Sequence, residues 1–438
     1  MRTKQLFESH FSESSLKALF RQKIRFSKSV GLDKTTAVAF ERKLNEEIST
    51  IRRKINNCSY HFTAYKQMLI SKGAKKYPRE ISIATVRDRL VLTALNQFLI
   101  AKLGSSICQT PLPQKIIQNI VEAIEGEKYN YYLKFDIERF YSSLDHTILM
   151  KKMRRNLRQK EAINLLIKAI ENPTKCTDIA HSRNNKRVMG TPEGIPISNT
   201  LANVYLQDVD TYWISRDDVC YHRYVDDILI LCKREDAEQI TQQITRQILK
   251  LRLKFNSKTE CGSIEQTFSY LGYKFTGAEV SVRESSVLHL EKNLEKVFSL
   301  AKKDMDGNLP ALQLWKVNLR ITGFVAGRSK YGWLFYFSQL NDLQLLSHLD
   351  WLVQRLFARY GYKNANQAKR FRRAYYEMRY NLHGTKYVPN FDNYTLAQKR
   401  DLLMQLGIRC LEDDIETTFH KLIVKTASEL EKDVQSFS

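Results

Sequence analysis

Two adjacent acidic residues, Asp226 and Asp227, stand inside the apolar stretch HRYVDDILIL at residues 222–231. Two carboxylates about 4 Å apart repel each other by roughly 4 kcal/mol at an effective dielectric constant near 20. Burial without a counter-charge adds a further cost. Two explanations are open. The pair lies in an exposed turn between two strands, where Asp is common, or it binds a divalent cation through its oxygen atoms.

A third acid favours the metal explanation. Asp136 follows apolar residues at the end of a predicted strand in YYLKFDIERFYSSLDH (131–146). It could instead cap the helix that follows, but Ser143 and Asp145 are available for that role. In nucleotidyl transfer, carboxylates hold two cations about 3.5–4 Å apart, and the cations stabilise the attacking 3′-hydroxyl and the departing pyrophosphate. The three acids therefore predict polymerase chemistry.

Strands and helices must bring these acids together. Residues 62–84 predict two strands around a basic turn, and residues 85–103 predict a strongly apolar helix. Apolar residues at helical spacing, Val38 among them, predict one helix over 35–55. Residues 188–210 predict a Gly/Pro turn that leads into a helix.

Further along the chain, Ser198 or Asn199 is the predicted N-cap of the helix that follows this turn. Residues 251–262 and 268–277 each read as a strand. After about residue 285 the pattern is mostly helical. An amphipathic helix is predicted over 412–434, and its apolar face is expected to dock on the preceding helices or to pair two protomers.

The composition favours a polyanionic partner. The 438 residues include 70 Lys and Arg against 47 Asp and Glu, a formal charge of +23, which favours nucleic acid or an anionic membrane surface. No apolar run approaches the roughly 18 residues of a membrane span, and the N-terminus lacks a signal-peptide core. The seven cysteines form no CxxC pair, so no zinc site or disulfide framework is indicated. A cytoplasmic protein that binds nucleic acid, and no membrane, is expected.

Several segments carry a family resemblance. They are GLDKTT (31–36), YPREISI (77–83), ATVRDRLV (84–91), FDIERFYSSLDH (135–146), GTPEGIPISNTLANVYL (190–206), YVDD (224–227), SKT (257–259) and YLGYKF (270–275). Taken in this order, they resemble the N-terminal extension, fingers and palm motifs of bacterial reverse transcriptases. The resemblance is to the branch of group II intron and retron enzymes, and most to the free-standing defence-associated enzymes.

The resemblance implies an α+β right-hand polymerase, with fingers, a palm built on an antiparallel sheet, a helical thumb and C-terminal helices. The domains it implies are an N-terminal basic helix (1–30), the N-terminal extension and fingers (31–134), the palm, part of which returns to the fingers (135–285), the thumb (286–385) and a C-terminal helical segment (386–438). The basic, Tyr-rich segment 354–380 would lie in the thumb and grip nucleic acid through its phosphates.

Residue roles follow from the same resemblance. Asp136 and Asp226 would be the main metal ligands, completed by Asp227, for Mg²⁺ with Mn²⁺ as the alternative. Tyr141 matches the aromatic gate that excludes a ribose 2′-hydroxyl, unless it is a core aromatic. Arg79 matches the residue that binds the triphosphate, and Lys258 could approach a phosphate. For these two, a solvated side chain is the alternative.

One position departs from the family pattern. Glu193 stands in the nucleotide-pocket turn where many relatives have Gln. The amide of Gln donates hydrogen bonds, whereas an ionised Glu only accepts them. A carboxylate near the triphosphate also repels it, unless a base-facing contact or a cation offsets the charge. This departure is compatible with a specialised polymerase that makes one particular product.

Three functions are compatible with these observations. The first is an RNA-directed DNA polymerase that copies a dedicated, structured noncoding RNA with dNTPs in antiviral defence. The second is a group II intron maturase or retron-type enzyme, and the third is a template-independent or protein-primed DNA polymerase. All three acids are present, so catalysis is expected. No Cys-pair tail or H-N-H-like pattern occurs in the sequence, which weakens the mobile-intron interpretation.

Overall fold

The computed structural model describes residues 3–71, 78–108, 110–176, 186–257 and 259–434. The chain divides into two compact units. The first unit comprises Met1–Pro111 and Tyr131–Cys261, and the second comprises Leu112–Asn130 and Gly262–Ser438. The finer domain boundaries expected from the sequence stay predictions, because these two units are larger than the predicted domains.

Helices account for most of the regular structure. In chain order they are α1 (Thr3–His10), α2 (Glu13–Leu19), α3 (Ala37–Arg42), α4 (Leu44–Asn56), α5 (Val86–Leu103), α6 (Ser105–Cys108), α7 (Pro113–Glu125), α8 (Phe140–Ser143), α9 (His146–Asn156), α10 (Lys160–Glu171), α11 (Ser198–Ile214), α12 (Ala237–Lys250), α13 (Glu284–Leu300), α14 (Ala311–Thr322), α15 (Trp333–Tyr336), α16 (Leu343–Tyr360), α17 (Phe371–Tyr380), α18 (Leu396–Gln405) and α19 (Ile415–Val434). A π-helical turn, Phe20–Ile24, follows α2.

The strands are short, as is usual for strands in mixed folds. They are β1 (Tyr65–Ile70), β2 (Arg79–Ile83), β3 (Tyr131–Asp136), β4 (Thr174–Lys175), β5 (Cys220–Tyr224), β6 (Asp227–Cys232), β7 (Glu260–Ser263), β8 (Phe268–Tyr270), β9 (Tyr273–Thr276), β10 (Glu279–Val282), β11 (Phe324–Ala326) and β12 (Ser329–Tyr331).

The core of the first unit is built around α5. This helix is apolar on most of its surface, and α1, α2, α3 and α4 all pack against it. Helix α4 contributes Ile48, Ile51 and Ile55, which are spaced three and four residues apart and are almost completely buried. Such spacing puts one apolar stripe toward the core. The helices N-terminal to β1 are thereby joined to the same core as the sheets.

Two sheets of the first unit carry the motifs. The first has the order β2-β1-β4, and β1 and β2 form the predicted hairpin, antiparallel with Ile70 opposite Arg79. The second has the order β5-β6-β3-β7, and β6 is antiparallel to both β5 and β3. Ile228 and Ile230 on β6 are fully buried. This second sheet, with the turn between β5 and β6, holds all three candidate metal ligands.

The second unit is mostly helical, with two small antiparallel sheets, β10-β9-β8 and β11-β12. Helix α19 buries Ile415, Phe419, Ile423 and Leu430 in a cluster with residues of α14, α18 and β11. The apolar face predicted over 412–434 is therefore covered within its own unit. Among the described residues, no helix has both the length and the apolar character required to cross a bilayer.

The predicted α+β class with antiparallel sheets is confirmed, but several local predictions are wrong. The helix expected over 35–55 is interrupted at Lys43 between α3 and α4, and Val38 is exposed rather than on the buried stripe. The N-cap of α11 is Ile197, not Ser198 or Asn199, and it makes no side-chain capping bond. The hydroxyl of Ser198 instead donates to the Pro192 carbonyl oxygen, at 2.6 Å.

The two later strand predictions also need correction. Residues 268–277 form a hairpin, β8 and β9, because Leu271 and Gly272 both adopt positive φ and reverse the chain. Over 251–262 the strand begins only at Glu260, preceded by an isolated bridge between Phe255 and Ile137. A Leu-Gly turn carries a weaker sequence signal than Asn-Gly, which explains why the periodicity predicted one strand.

Candidate active site

The two adjacent acids lie at a strained two-residue turn. Strands β5 and β6 are joined by Val225 and Asp226, and Asp227 is the first residue of β6. Val225 has φ of +61°, as at the first position of a type II′ turn, where Gly is preferred. For a β-branched residue this conformation is an outlier and costs about 1–3 kcal/mol. The surrounding structure must therefore hold the turn in place.

A buried ion pair supplies part of that support. Arg223 donates from Nη1 to the Val225 carbonyl oxygen, at 2.8 Å, and its other side-chain nitrogens contact Asp210 of α11, with the closest approach at 2.5 Å. Tyr221 also donates to Asp210, at 2.8 Å. Only 8% of the Arg223 side chain and 20% of the Asp210 side chain are exposed. We call Arg223, Asp210 and Tyr221 the hairpin clamp.

The third acid, Asp136, lies directly opposite the first residue of β6. Asp136, the last residue of β3, pairs with Asp227 across the sheet. Directly opposed residues on antiparallel strands have Cβ atoms about 4.5–5.5 Å apart, so the two carboxylates belong to one site. The backbone N–H of Ile137 donates to the Asp226 carbonyl oxygen at 3.1 Å, and Asn256 donates to Asp136 through its backbone at 2.7 Å and its side chain at 3.3 Å.

The electrostatics show that nearby cations, Arg79 and Lys134, only partly compensate the charge of this cluster. Burial raises the pKa of Asp226 to about 6, and the neighbouring Asp136 carboxylate adds to the shift. Burial likewise raises the pKa of Asp227 to about 7, opposed by Lys134 and supported by Asp226 and Asp136. Both shifts favour the neutral acid, because burial and like charge each disfavour ionisation. A bound divalent cation would reverse both shifts.

The donor set fits Mg²⁺ or Mn²⁺. In the described part of the chain, no group of three or more His, Cys, Asp or Glu side chains is arranged to hold a metal ion without further ligands. A polymerase site does not require one, since Mg²⁺ commonly binds through one or two carboxylates plus substrate phosphates. Three acids on two adjacent strands and the turn beside them supply carboxylate oxygens that match that requirement.

The Gly-rich turn at 190–194 connects two other candidate residues to this sheet. The backbone of Thr191 donates to the Tyr141 carbonyl oxygen at 2.8 Å, and Ser82 of β2 donates to the Glu193 carbonyl oxygen at 2.7 Å. Gly194 has φ of +92°, and a Cβ there would lie 2.6 Å from Ile81 Cγ2. Gly is thus required for the turn to pack closely against β2.

This packing places Glu193 beside Arg79. The Nε of Arg79 donates to Oε2 of Glu193 at 2.5 Å, and both side chains are about a quarter to a third exposed. Burial is the largest influence on the pKa of Arg79 and lowers it, but Glu193, Tyr141 and Asp226 together raise it. The candidate triphosphate ligand is therefore already paired with a carboxylate.

Tyr141 lies in the same group. Its hydroxyl donates to Oδ1 of Asn199, and its side chain is buried. Burial, followed by the charge of Asp226, raises the pKa of Tyr141 to about 12, so the phenol stays neutral at physiological pH. The bond to Asn199 limits rotation of the ring next to the carboxylates.

The structure thus brings six predicted site residues into one region of the first unit: Asp136, Asp226, Asp227, Arg79, Tyr141 and Glu193. The seventh, Lys258, lies outside the described residues. The sequence interpretation missed Asn199, Asn256, Lys134 and the hairpin clamp. Asn256 directly precedes the SKT motif and Arg223 lies within HRYVDD, so proximity to a motif was the only available signal.

Comparison with known proteins agrees with this geometry. The family model described as "Reverse transcriptase (RNA-dependent DNA polymerase)" matches residues 70–275. Protein YkfC of Escherichia coli (strain K12) is 22% identical over 340 residues, which cover 67% of this chain and 85% of YkfC. The group II intron-encoded protein LtrA of Lactococcus lactis subsp. cremoris is 22% identical over 172 residues, 38% of this chain and 28% of LtrA. The predicted resemblance to reverse transcriptases is confirmed, and the resemblance to the defence-associated branch stays a prediction.

Solved structures were also compared. A telomerase from Candida albicans, in complex with a fragment of telomeric RNA, has 14% identity and a TM-score of 0.45 over 90% of this chain and 67% of that chain. An apo telomerase from Candida tropicalis has 13% identity and a TM-score of 0.39 over 57% of this chain and 60% of that chain.

Proposed function

We propose that the chain, whose residues 70–275 match the reverse transcriptase family model, extends a DNA strand on an RNA template by two-metal nucleotidyl transfer. One observation carries the proposal. Asp136 lies opposite Asp227 on adjacent strands, beside a strained turn that presents Asp226. Carboxylates in this arrangement can hold divalent cations between the protein and a nucleoside triphosphate.

Asp136 and Asp226 would be the principal ligands of Mg²⁺, with Mn²⁺ as the alternative, and Asp227 would complete the set. When bound, such cations lower the pKa of an attacking hydroxyl and stabilise the charge of the leaving pyrophosphate. Asn256 holds Asp136 in place through two hydrogen bonds. The hairpin clamp holds the turn that carries Asp226.

The residues around the acids would select the nucleotide. The guanidinium of Arg79 is suited to a triphosphate because its planar, forked donors match phosphate oxygens. The Tyr141 ring, fixed by Asn199, would exclude a ribose 2′-hydroxyl and so favour dNTPs. Glu193 would lower the affinity for the triphosphate, because it already occupies Nε of Arg79.

Primer extension on an RNA template tests the proposal. The double variant Asp226→Asn, Asp227→Asn should lose at least about three orders of magnitude in rate, since metal stabilisation of the transition state amounts to several kcal/mol. A matched control is Asp413→Asn, Asp414→Asn, which removes two adjacent exposed acids elsewhere in the chain. Activity retained by the folded first variant would overturn the assignment, and the control should behave as wild type.

The template is proposed to be a structured noncoding RNA. The chain carries a formal charge of +23, and residues 354–380, proposed to lie in a thumb domain, are rich in Arg, Lys and Tyr. A surface of this kind binds phosphates and stacks on bases. Sequencing the nucleic acid that co-purifies with the protein from its own cells would identify the template and the product. Recovery of unrelated RNAs in proportion to their abundance would argue against a dedicated partner.

For the biological role we propose antiviral defence in the cytoplasm, supported by the sequence resemblance to defence-associated enzymes and by the departure at Glu193. Phage plating on cells that carry the locus, compared with the Asp226→Asn, Asp227→Asn variant, tests this role. Equal plating over a broad phage panel would exclude it. Restoration of intron splicing in trans would favour the maturase alternative, which the similarity to LtrA supports.

A further inference from the structure

A concave basic pocket lies in the second unit, apart from the residues assigned above. It has a volume of about 560 Å³ and is lined by residues of α16, of the segment that leads into α17, and of the first turn of α17, together with Tyr387. Four of its lining residues are cationic, namely Lys369, Arg370, Arg372 and Arg373. Its only acidic lining residue is Asp350.

The carboxylate of Asp350 is committed to the backbone. It accepts hydrogen bonds from the backbone N–H groups of Phe371 at 2.5 Å and Arg372 at 3.3 Å, and so binds the start of α17. In the described part of the chain, no ion pair joins Asp350 to any of the four cations. The carboxylate therefore stabilises the start of α17 and also interacts electrostatically with Arg370 and Arg372. One negative charge faces four cationic side chains, so the pocket keeps an excess of positive charge.

Tyr387 forms the floor on which two of the cations meet. Arg373 lies over its ring with the guanidinium 4.5 Å from the centroid, and the Nζ of Lys369 lies 5.1 Å from the same centroid. Lys369 also donates to the Tyr387 carbonyl oxygen at 2.6 Å, while the backbone N–H of Arg370 donates to the Tyr387 hydroxyl at 2.6 Å. Tyr387 therefore contacts the Lys369 side chain, the Arg370 backbone and the Arg373 side chain, and so fixes their positions in the pocket wall.

The crowding of these cations affects the pKa of Lys369. Burial, and then the charge of Arg373, lowers the pKa of Lys369 to about 8. Two cations over one ring repel each other, and an anion between them would offset that repulsion. The outer ion pair, between Arg373 and Glu377 at 3.8 Å, involves an arginine whose side chain is 65% exposed, so it adds little.

From this arrangement we propose that the pocket formed by Lys369, Arg370, Arg372, Arg373 and Tyr387 is a binding site for a phosphate group of an RNA strand. Guanidinium groups match phosphate oxygens through paired N–H donors, and the lysine supplies a compact charge. The inference deepens the proposed function and rests on it for the identity of the polyanion. The phosphate is either an internal diester or the terminal phosphate of a transcript.

Binding of an RNA hairpin, without dNTPs, tests the site independently of polymerisation. The pocket variant is Lys369→Gln, Arg373→Gln. The matched control is Lys421→Gln, Lys425→Gln, which removes two exposed lysines from α19 of the same unit. Fluorescence anisotropy would give Kd over a range of salt concentrations for the hairpin with a 5′-hydroxyl and with a 5′-triphosphate.

The pocket variant should bind more weakly than the control and flatten the slope of log K against log salt by about 0.7–0.9 for each lost phosphate contact. An equal loss for both hairpins would assign the pocket to an internal phosphate, and a larger loss with the 5′-triphosphate would assign it to the strand end. Either result supports the site. Identical slopes and affinities for pocket variant and control would overturn it.

If the double variant melts at a lower temperature than wild type, the single variant Arg372→Gln replaces it in the same measurement. The backbone of Arg372, and not its side chain, holds the start of α17. A pocket variant that loses binding to the RNA hairpin but still incorporates dNTPs on a preformed short duplex would support a role of the pocket in RNA binding that is separate from catalysis. A wild-type protein that binds the hairpin but incorporates no dNTP would instead contradict the proposed polymerase.

Discussion

The turn at Val225 and the basic pocket at Lys369 crowd charges of opposite sign. In the first unit, burial and neighbouring acids raise the pKa of Asp226 to about 6 and that of Asp227 to about 7. In the second, burial and a neighbouring arginine lower the pKa of Lys369 to about 8. Both regions therefore push buried ionisable groups toward their neutral forms, and a ligand of opposite charge would restore the charged forms.

Two buried ion pairs in the described residues balance their charges internally. Arg223 and Asp210 neutralise each other in the hairpin clamp, and Arg320 lies 3.4 Å from Asp433 in the second unit. Asp433 nevertheless has its pKa raised to about 6, mainly by burial. A shifted pKa alone thus does not distinguish a ligand site from a structural pair. An excess of charges of one sign within one cluster or pocket does distinguish a ligand site from a structural pair.

The largest expected effect is the loss of stability when the cation of the hairpin clamp is removed. Replacing Arg223 by Gln leaves the Asp210 carboxylate buried without its cation, which should lower the free energy of unfolding by about 3–5 kcal/mol. The control is Arg155→Gln, at a pair with Asp208 in which both side chains are more than half exposed, with an expected loss of less than about 1 kcal/mol. Chemical denaturation measures both. Equal losses would show that the clamp is no more important than a surface pair.

The acid cluster should make stability depend on pH and metal. The folded-state pKa values of about 6 and about 7 lie above the ordinary Asp value of about 3.9. The folded protein then holds more protons than the unfolded chain between roughly pH 4 and 7, so in metal-free buffer these groups lose stabilising effect as pH rises through that window. Asp226→Asn, Asp227→Asn should flatten this part of the Tm profile.

Addition of Mg²⁺ or Mn²⁺ at pH 8 extends the same experiment. Binding to the folded state should raise the Tm of wild type by a few degrees, following mass action, and leave the double variant unchanged. The Asp413→Asn, Asp414→Asn control should respond as wild type does. A metal response that persists in the Asp226→Asn, Asp227→Asn variant would place the cation elsewhere and remove the parallel between the two charged regions.

Tyr141 provides a smaller, kinetic test of the acid site. Tyr141→Ala should raise the rNTP/dNTP ratio of kcat/KM by about tenfold or more, because the ring would no longer exclude a 2′-hydroxyl. Tyr141→Phe, which keeps the ring and loses only the bond to Asn199, should retain most of the discrimination. An unchanged ratio in the Ala variant would mean that Tyr141 is core packing.

The smallest expected effect is at Glu193. Glu193→Gln removes a negative charge that competes with the triphosphate for Arg79, so KM for dNTPs should fall by about twofold to tenfold, the range of one charged contact. Glu80→Gln, at a more exposed acid on the same strand as Arg79, is the control. A rise in KM for Glu193→Gln would show that the carboxylate orients Arg79 productively instead of competing for it.

Much of the site could be predicted because its motifs are local. Asp226 and Asp227 are adjacent, and each motif carries its strand and turn pattern in a few residues. The residues that were missed act across long separations. Asn256 contacts Asp136 over 120 positions, and Asn199 contacts Tyr141 over 58. No periodicity encodes such contacts, since they depend on how strands and turns pack.

The sequence by itself determined the family, the three acids, the apolar helix at 85–103 and the excess of positive charge. Each of these is a property of neighbouring residues or of composition. Only the tertiary structure decided that Glu193 pairs with Arg79, that Arg223 and Asp210 support a strained valine, and that four cationic residues line one pocket with Tyr387. Burial and distance set the energies of these charges, and both arise only when remote segments of the chain pack together.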